Sequence, residues 1–352
     1  MKIKVSGMKR RSWIILLGVV LLLGGCTKKA DRERLERAES LVKAESYEEA
    51  LGIFEGLKES GVDMRRVYRG IGLSYMGMEQ YSDAILALEK SLKEAGGKIS
   101  DWEYDTNYYL AIAFEKDGQR QEAIDTWSNL LSVKKESESY FQRGLLYLED
   151  GKEEEAEKDF DAAIAADEGN GSLSIRIYEA VCADYSELGE KYLRGLVERD
   201  AKSGEALYYK GIAYLKLGET TAAEDTLKQA VKEGFSEANL ALGEMFNTEE
   251  SYDYAISFYQ AYLEANPESE QAYEELAAAQ IVQKDYTGAL ATLAEAAGKL
   301  ENLSRERLDW YEVICYEYLG DYQTARDKAA AYVEAWPRNA KAQKEYEFLL
   351  TR

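Results

Sequence analysis

Histidine does not occur anywhere in the 352 residues. Its absence removes the commonest general base and the commonest metal ligand together, and serine hydrolases of the usual kind go with it. Basic residues are also scarce, 44 Lys and Arg against 66 Asp and Glu, for a net charge of −22. A surface of that sign repels phosphate backbones, so nucleic acid is not an expected partner. Proline is nearly missing, with Pro267 and Pro337 the only two. The sole long apolar run, Trp13 to Leu23 with Gly18 inside it, is 11 residues long, about half of the roughly 20 that a spanning helix needs.

That run follows Lys2, Lys4, Lys9, Arg10 and Arg11, the order of an export signal that is removed rather than of a permanent span; Met8 would serve as a start equally well. Leu23-Gly24-Gly25-Cys26 resembles the lipobox of bacterial lipoproteins. The resemblance implies that Cys26 receives a diacylglycerol and becomes the new amino terminus, on a membrane surface outside the cytoplasm, the outer membrane if the cell has two. Loss of residues 1–25 removes five basic residues and takes the net charge to about −27, so that only Lys28 and Lys29 beside the anchor would be drawn to an anionic lipid face.

What the rest of the chain holds is a period. Ala50, Ala84, Ala123, Ala156, Gly189, Ala223, Ala255, Ala289 and Ala325 follow one another at intervals of 34, 39, 33, 33, 34, 32, 34 and 36. A repeat of that length means stacked helical hairpins. Twelve residues before each stands a second series, Ala38, Gly72, Ala111, Gly144, Ile177, Gly211, Gly243, Ala277 and Val313. Four residues after each stands a mostly large one, Phe54, Leu88, Trp127, Phe160, Leu193, Leu227, Tyr259, Leu293 and Ala329. Small residues at two fixed places let paired helices approach, and large ones fill the remaining space. Five residues before four of the anchors, Gly118, Gly151, Gly218 and Gly320 suit the left-handed end of a first helix. Pro267 and Pro337, each twelve residues after an anchor, end a second helix. The fifth unit departs most, with Ile177 and Gly189 in its two small positions, and Gly96-Gly97 lengthens the link before the third.

The pattern, with Tyr316-Glu317-Tyr318-Leu319-Gly320-Asp321-Tyr322-Gln323-Thr324-Ala325 as its best phrase, is similar to the tetratricopeptide repeat. The resemblance implies an all-α fold: a right-handed α-solenoid of about nine helix-turn-helix units over residues 31–337. A capping helix at 338–352 follows, with Ala340, Tyr346 and Leu349-Leu350 as its apolar side. Residues 26–30 form the lipidated cysteine and a short linker. Cys182 and Cys315 then fall on first helices four hairpins apart, beyond disulfide reach, and read as small core residues.

In such a solenoid the first helices form an inner face. Leu73, Met76, Tyr108, Ile112, Phe141, Leu145, Leu148, Tyr178, Tyr208, Ile212 and Leu215 are expected to line a groove there for an amphipathic or extended protein segment, with Glu244, Asn247 and Glu274 meeting a polar or basic part of it. The alternative is that these side chains pack on one another. Arg66 and Arg69 lie near, but no asparagine accompanies them, so the carboxylate clamp of the family is not reproduced and the pair reads as a solvated face. Glu153-Glu154-Glu155 reads as helix surface and Asp167-Glu168-Gly169-Asn170-Gly171 as a turn without the spaced acids of a calcium loop. No metal, cofactor or catalytic carboxylate pair is expected. The function expected is a non-enzymatic, lipid-anchored scaffold for other proteins, with envelope, pilus or secretion assembly and capture of a small ligand or peptide as alternatives.

Overall fold

The computed structural model describes residues 29–97, 100–300 and 305–352. The export-signal segment and Cys26 lie outside them. Among the described residues there is no strand, and no helix is long and apolar enough to cross a membrane. Helix is already present at residue 29, two positions before the expected start of the array.

The chain divides into two compact units between Glu168 and Gly169, inside the stretch read as a turn. The first holds α1 (29–43), α2 (Tyr47–Glu55), α3 (Met64–Gly77), α4 (Tyr81–Glu94), α5 (Asp101–Lys116), α6 (Arg120–Val133), α7 (Ser137–Glu149) and α8 (Glu153–Ala166). The second holds α9 (Gly171–Val181), α10 (Ser186–Glu198), α11 (Gly204–Lys216), α12 (Thr220–Lys232), α13 (Glu237–Thr248), α14 (Tyr252–Ala265), α15 (Glu270–Val282), α16 (Tyr286–Lys299), α17 (Glu306–Tyr318), α18 (Tyr322–Ala335) and α19 (Ala340–Leu349). From α3 to α8 and from α9 to α18, each odd-numbered helix packs on the even one after it as a hairpin, and successive first helices touch, α3 on α5 and α9 on α11 on α13 on α15 on α17.

The seam of each hairpin follows from the small and large positions. All nine anchors and all nine residues of the second series are buried. The large residues Phe54, Leu88, Trp127, Phe160, Leu193, Leu227 and Tyr259 are wholly buried, each contributing about 1.5–3 kcal/mol. Glycine lets them in. A Cβ on Gly72 would come within 2.6 Å of Leu88, on Gly144 within 2.7 Å of Phe160, on Gly211 within 2.6 Å of Leu227 and on Gly243 within 2.5 Å of Tyr259. The second-series residue of the first helix therefore receives the large residue of the second.

At the turns, Gly118, Gly151, Gly218 and Gly320 all have positive φ. In eight hairpins the N–H four residues before the anchor donates to the carbonyl nine before it, from Ser46 to Leu41 through Asp321 to Tyr316, at 2.8 to 2.9 Å. These bonds satisfy carbonyls that the end of the first helix leaves free. The fifth hairpin differs: Tyr185 N–H donates to Val181, one residue nearer, at 2.7 Å. Both prolines follow the last residue of their helices by two positions.

Two assignments need correction. On α19 the buried residues are Ala342 and Leu349, the latter packed with Val313, Ala325 and Ala329, while Ala340 and Leu350 face outward. The helical period places residues seven apart on one stripe, and 342/349 is that pair. Cys315 is buried as expected, its thiol pushed up to about 12 by loss of water. Cys182 caps the end of α9 and is only partly covered.

Candidate functional site

The first helices bring the expected inner-face residues into separate clefts. Leu73 and Met76 line one of about 730 Å³ in the first unit, between α1, α3 and α5. Tyr108 lines another of about 560 Å³ with Tyr104, Val133, Lys134 and Glu136. In the second unit Tyr208, Ile212 and Leu215 share a cleft of about 370 Å³ with Ile175, Glu179, Tyr209, Lys216 and Glu244. Ile112, Leu145 and Tyr178 are half-buried. Phe141 and Leu148 are not groove residues: they are 5 % and 8 % exposed, and the Phe141 ring lies 6.1 Å from that of Phe160 in the hairpin core. At these two positions self-packing replaces the groove.

The larger cleft is built on a charged frame that the sequence did not disclose. Arg66 on α3 is held by Glu39 on α1 through two hydrogen bonds, donating from Nε at 2.8 Å and from Nη2 at 2.6 Å. Arg69, one turn on, donates to Asp105 of α5. Its guanidinium carbon stands 5.3 Å from the Trp102 ring centroid and 5.4 Å from that of Tyr109, within cation–π range of both. Its Nε is buried with no partner. The two arginines are thus not a solvated face but rigid walls over a floor of Val42, Phe54, Leu73 and Met76. Each partner comes from a neighbouring first helix, so no spacing within one helix signals it. Behind the wall, Asp63 accepts from the Arg65 backbone to cap α3, and Ser100 and Glu103 form a capping box at the start of α5.

The cleft of the second unit is aromatic and acidic. The Tyr208 ring meets Tyr209 edge-on at 5.2 Å and Phe235 at 5.1 Å. Burial pushes its phenol upward, with Tyr209 and Glu244 adding to the effect. Lys216 donates to Glu179 at 2.7 Å and lies 5.7 Å from the Tyr178 ring centroid. Glu244, on the rim, accepts from Gln271 at 2.8 Å. Loss of water, and then the neighbouring Glu275, hold its carboxyl above the usual glutamate range. Glu274 already accepts from Arg307 at 3.1 Å, and Asn247 is half-buried. Of the three polar residues expected at the border, Glu244 alone lines the cleft.

Sequence models of the tetratricopeptide repeat match residues 105–133, 137–170, 186–238 and 210–270. Tetratricopeptide repeats thus account for these residues of an all-α, solenoid-type chain, and such repeats serve as scaffolds for protein–protein interaction. Among solved structures the chain is similar to a tetratricopeptide repeat protein from Parabacteroides merdae, at 16% identity and TM-score 0.41, over 82% of this chain and 99% of that one. It is also similar to the Pseudomonas aeruginosa protein PilF, at 17% identity and TM-score 0.43, over 61% of this chain and 97% of that one. PilW, described as a type IV pilus biogenesis factor, matches at 17% identity and TM-score 0.46, over 59% of this chain and 97% of that one. No curated protein matches the sequence.

Proposed function

We propose that this protein is a non-enzymatic scaffold, tethered outside the cytoplasm through a lipid on Cys26, that holds an extended or amphipathic segment of another protein against its first helices. The observation that carries the reading is the set of half-buried apolar side chains left in clefts on those helices, Leu73 and Met76 in one unit and Tyr208, Ile212 and Leu215 in the other. Apolar surface kept partly wet beside fixed charges suits a segment that brings its own apolar side chains.

Two measurements test it. A photoreactive residue at Met76 or Tyr208 in living cells should capture a discrete partner that the same group at the exposed Glu154 does not; equal capture at all three positions would refute the binding face. Metabolic labelling with a palmitate analogue should mark the wild-type chain and not Cys26→Ala, which should also leave the membrane fraction. Unchanged labelling in that variant would refute the anchor.

A further inference from the structure

The first-unit cleft between α1, α3 and α5 carries the opposite charge to the chain around it. Three cations line it, Lys43 of α1 with Arg66 and Arg69 of α3, against a single carboxylate, Glu39, in a protein whose net charge is −22. Both oxygens of Glu39 are already taken by Arg66. Asp105, the acid that holds Arg69, lines the neighbouring cleft together with Asp101 and Glu136. Arg69 therefore borders this cleft while its counter-charge borders the next. Lys43 is exposed and pairs with no acid among the described residues. Beside these cations lie the apolar Val42, Leu73 and Met76, so positive and apolar surface meet in one place.

We propose that this cleft takes a glutamate or aspartate side chain of the bound protein segment at Lys43, Arg66 and Arg69, with an apolar neighbour of that residue on Leu73 and Met76. This deepens the binding reading above and rests on it. Arginine presents a planar array of donors that matches a carboxylate. Both arginines are fixed in advance, Arg66 by Glu39 and Arg69 by Asp105 with the Trp102 and Tyr109 rings, so little side-chain freedom is lost when the acid arrives. Most of the surface of so acidic a protein repels a carboxylate, which makes the local reversal of sign a means of placing the segment as well as of holding it.

The test uses the full chain and fluorescent dodecapeptides of leucine, serine and glutamate, capped at both ends so that no terminal carboxylate remains, beside the same peptides with glutamine for every glutamate. The glutamate peptide is expected to bind roughly tenfold tighter or more, the value of charge-assisted hydrogen bonds that the amide weakens. A third peptide, with glutamines and a free carboxyl terminus, should bind no better than the capped glutamine one. Arg66→Gln with Arg69→Gln should abolish the preference. Lys43→Glu, a change on an exposed side chain that leaves the packed frame untouched, should reduce it, and Lys341→Glu, the same change on exposed α19 of the other unit, should preserve it. Equal binding of the glutamate and glutamine peptides, binding of neither, a third peptide as tight as the first, or a preference that Lys43→Glu leaves intact or that Lys341→Glu lowers as much would overturn the acid seat. Equal binding that is still lost in Met76→Asp would remove the seat alone, whereas the binding face itself stands or falls on the crosslinking.

Discussion

Five residues before each anchor the backbone is left-handed in eight of nine hairpins, yet glycine occupies only four of those positions; Glu45, Glu79, Glu250 and Lys284 hold the others at φ of 58° to 65°. The glycines were visible in the sequence because the residue advertises the conformation. The others were not, because nothing in a glutamate or lysine does so. A non-glycine residue there is strained by about 1 kcal/mol or more, so Glu79→Gly and Glu250→Gly should each stabilise by about 0.5–1 kcal/mol, read as a raised urea midpoint. A lowered midpoint in both would contradict this. The seam glycines behave oppositely. Gly243→Ala should cost about 1–3 kcal/mol, since its Cβ would strike the Tyr259 ring. Gly189→Ala should stay within about 0.5 kcal/mol of wild type, because its Cβ would meet Tyr178 and Val181 only at 3.1 and 3.2 Å and helix propensity offsets the small shift. Equal costs at the two sites would mean that the fifth hairpin is seamed differently.

At the scale of helices, periodicity disclosed which faces meet but not which polar groups choose one another. Arg143 on α7 donates to both oxygens of Asp159 on α8 at 2.7 Å and to Ser128 on α6 at 2.9 Å, and so braces three helices. Asp159 is 4 % exposed. Arg143→Met should therefore lose about 3–5 kcal/mol in chemical denaturation, the cost of a buried charge left without its partner, and adding Asp159→Leu should restore much of it. A loss below about 1 kcal/mol in the single variant would rule out the brace. The frame of Arg66 and Arg69 escaped the sequence for the same reason: their acids stand 27 and 36 residues away, distances set by how hairpins cross rather than by helical spacing. The altered turn of the fifth hairpin was legible in part, as the one unit whose anchor is not alanine.

Over the whole chain the excess of acid sets the response to pH. Glu115, Glu244, Glu275 and Glu317 are all held above the usual range, chiefly by loss of water. A raised carboxyl penalises the folded state while ionised, so stability is gained as pH falls through the folded value and is complete below the unfolded one, about 4.3. Asp63 and Glu103 are held down, first by Arg65 and by Ser100 respectively. Their contribution is present above the unfolded values and disappears as pH falls through the folded ones. The melting temperature should therefore climb from pH 7.5 to about 5 and fall below about 4, with the climb reduced in Glu244→Gln with Glu275→Gln. A flat or falling trace between 7.5 and 5 would contradict the assignment. Fold class was the most legible property, since a period repeated nine times averages out local exceptions. The division at Glu168 was not, because the spacing of 33 runs straight across it.

The glycine notch that receives a leucine, phenylalanine or tyrosine is the same joint in four of the nine hairpins. Interchangeable joints let a gene duplication or deletion of one period add or remove one hairpin within a unit without inventing a new contact.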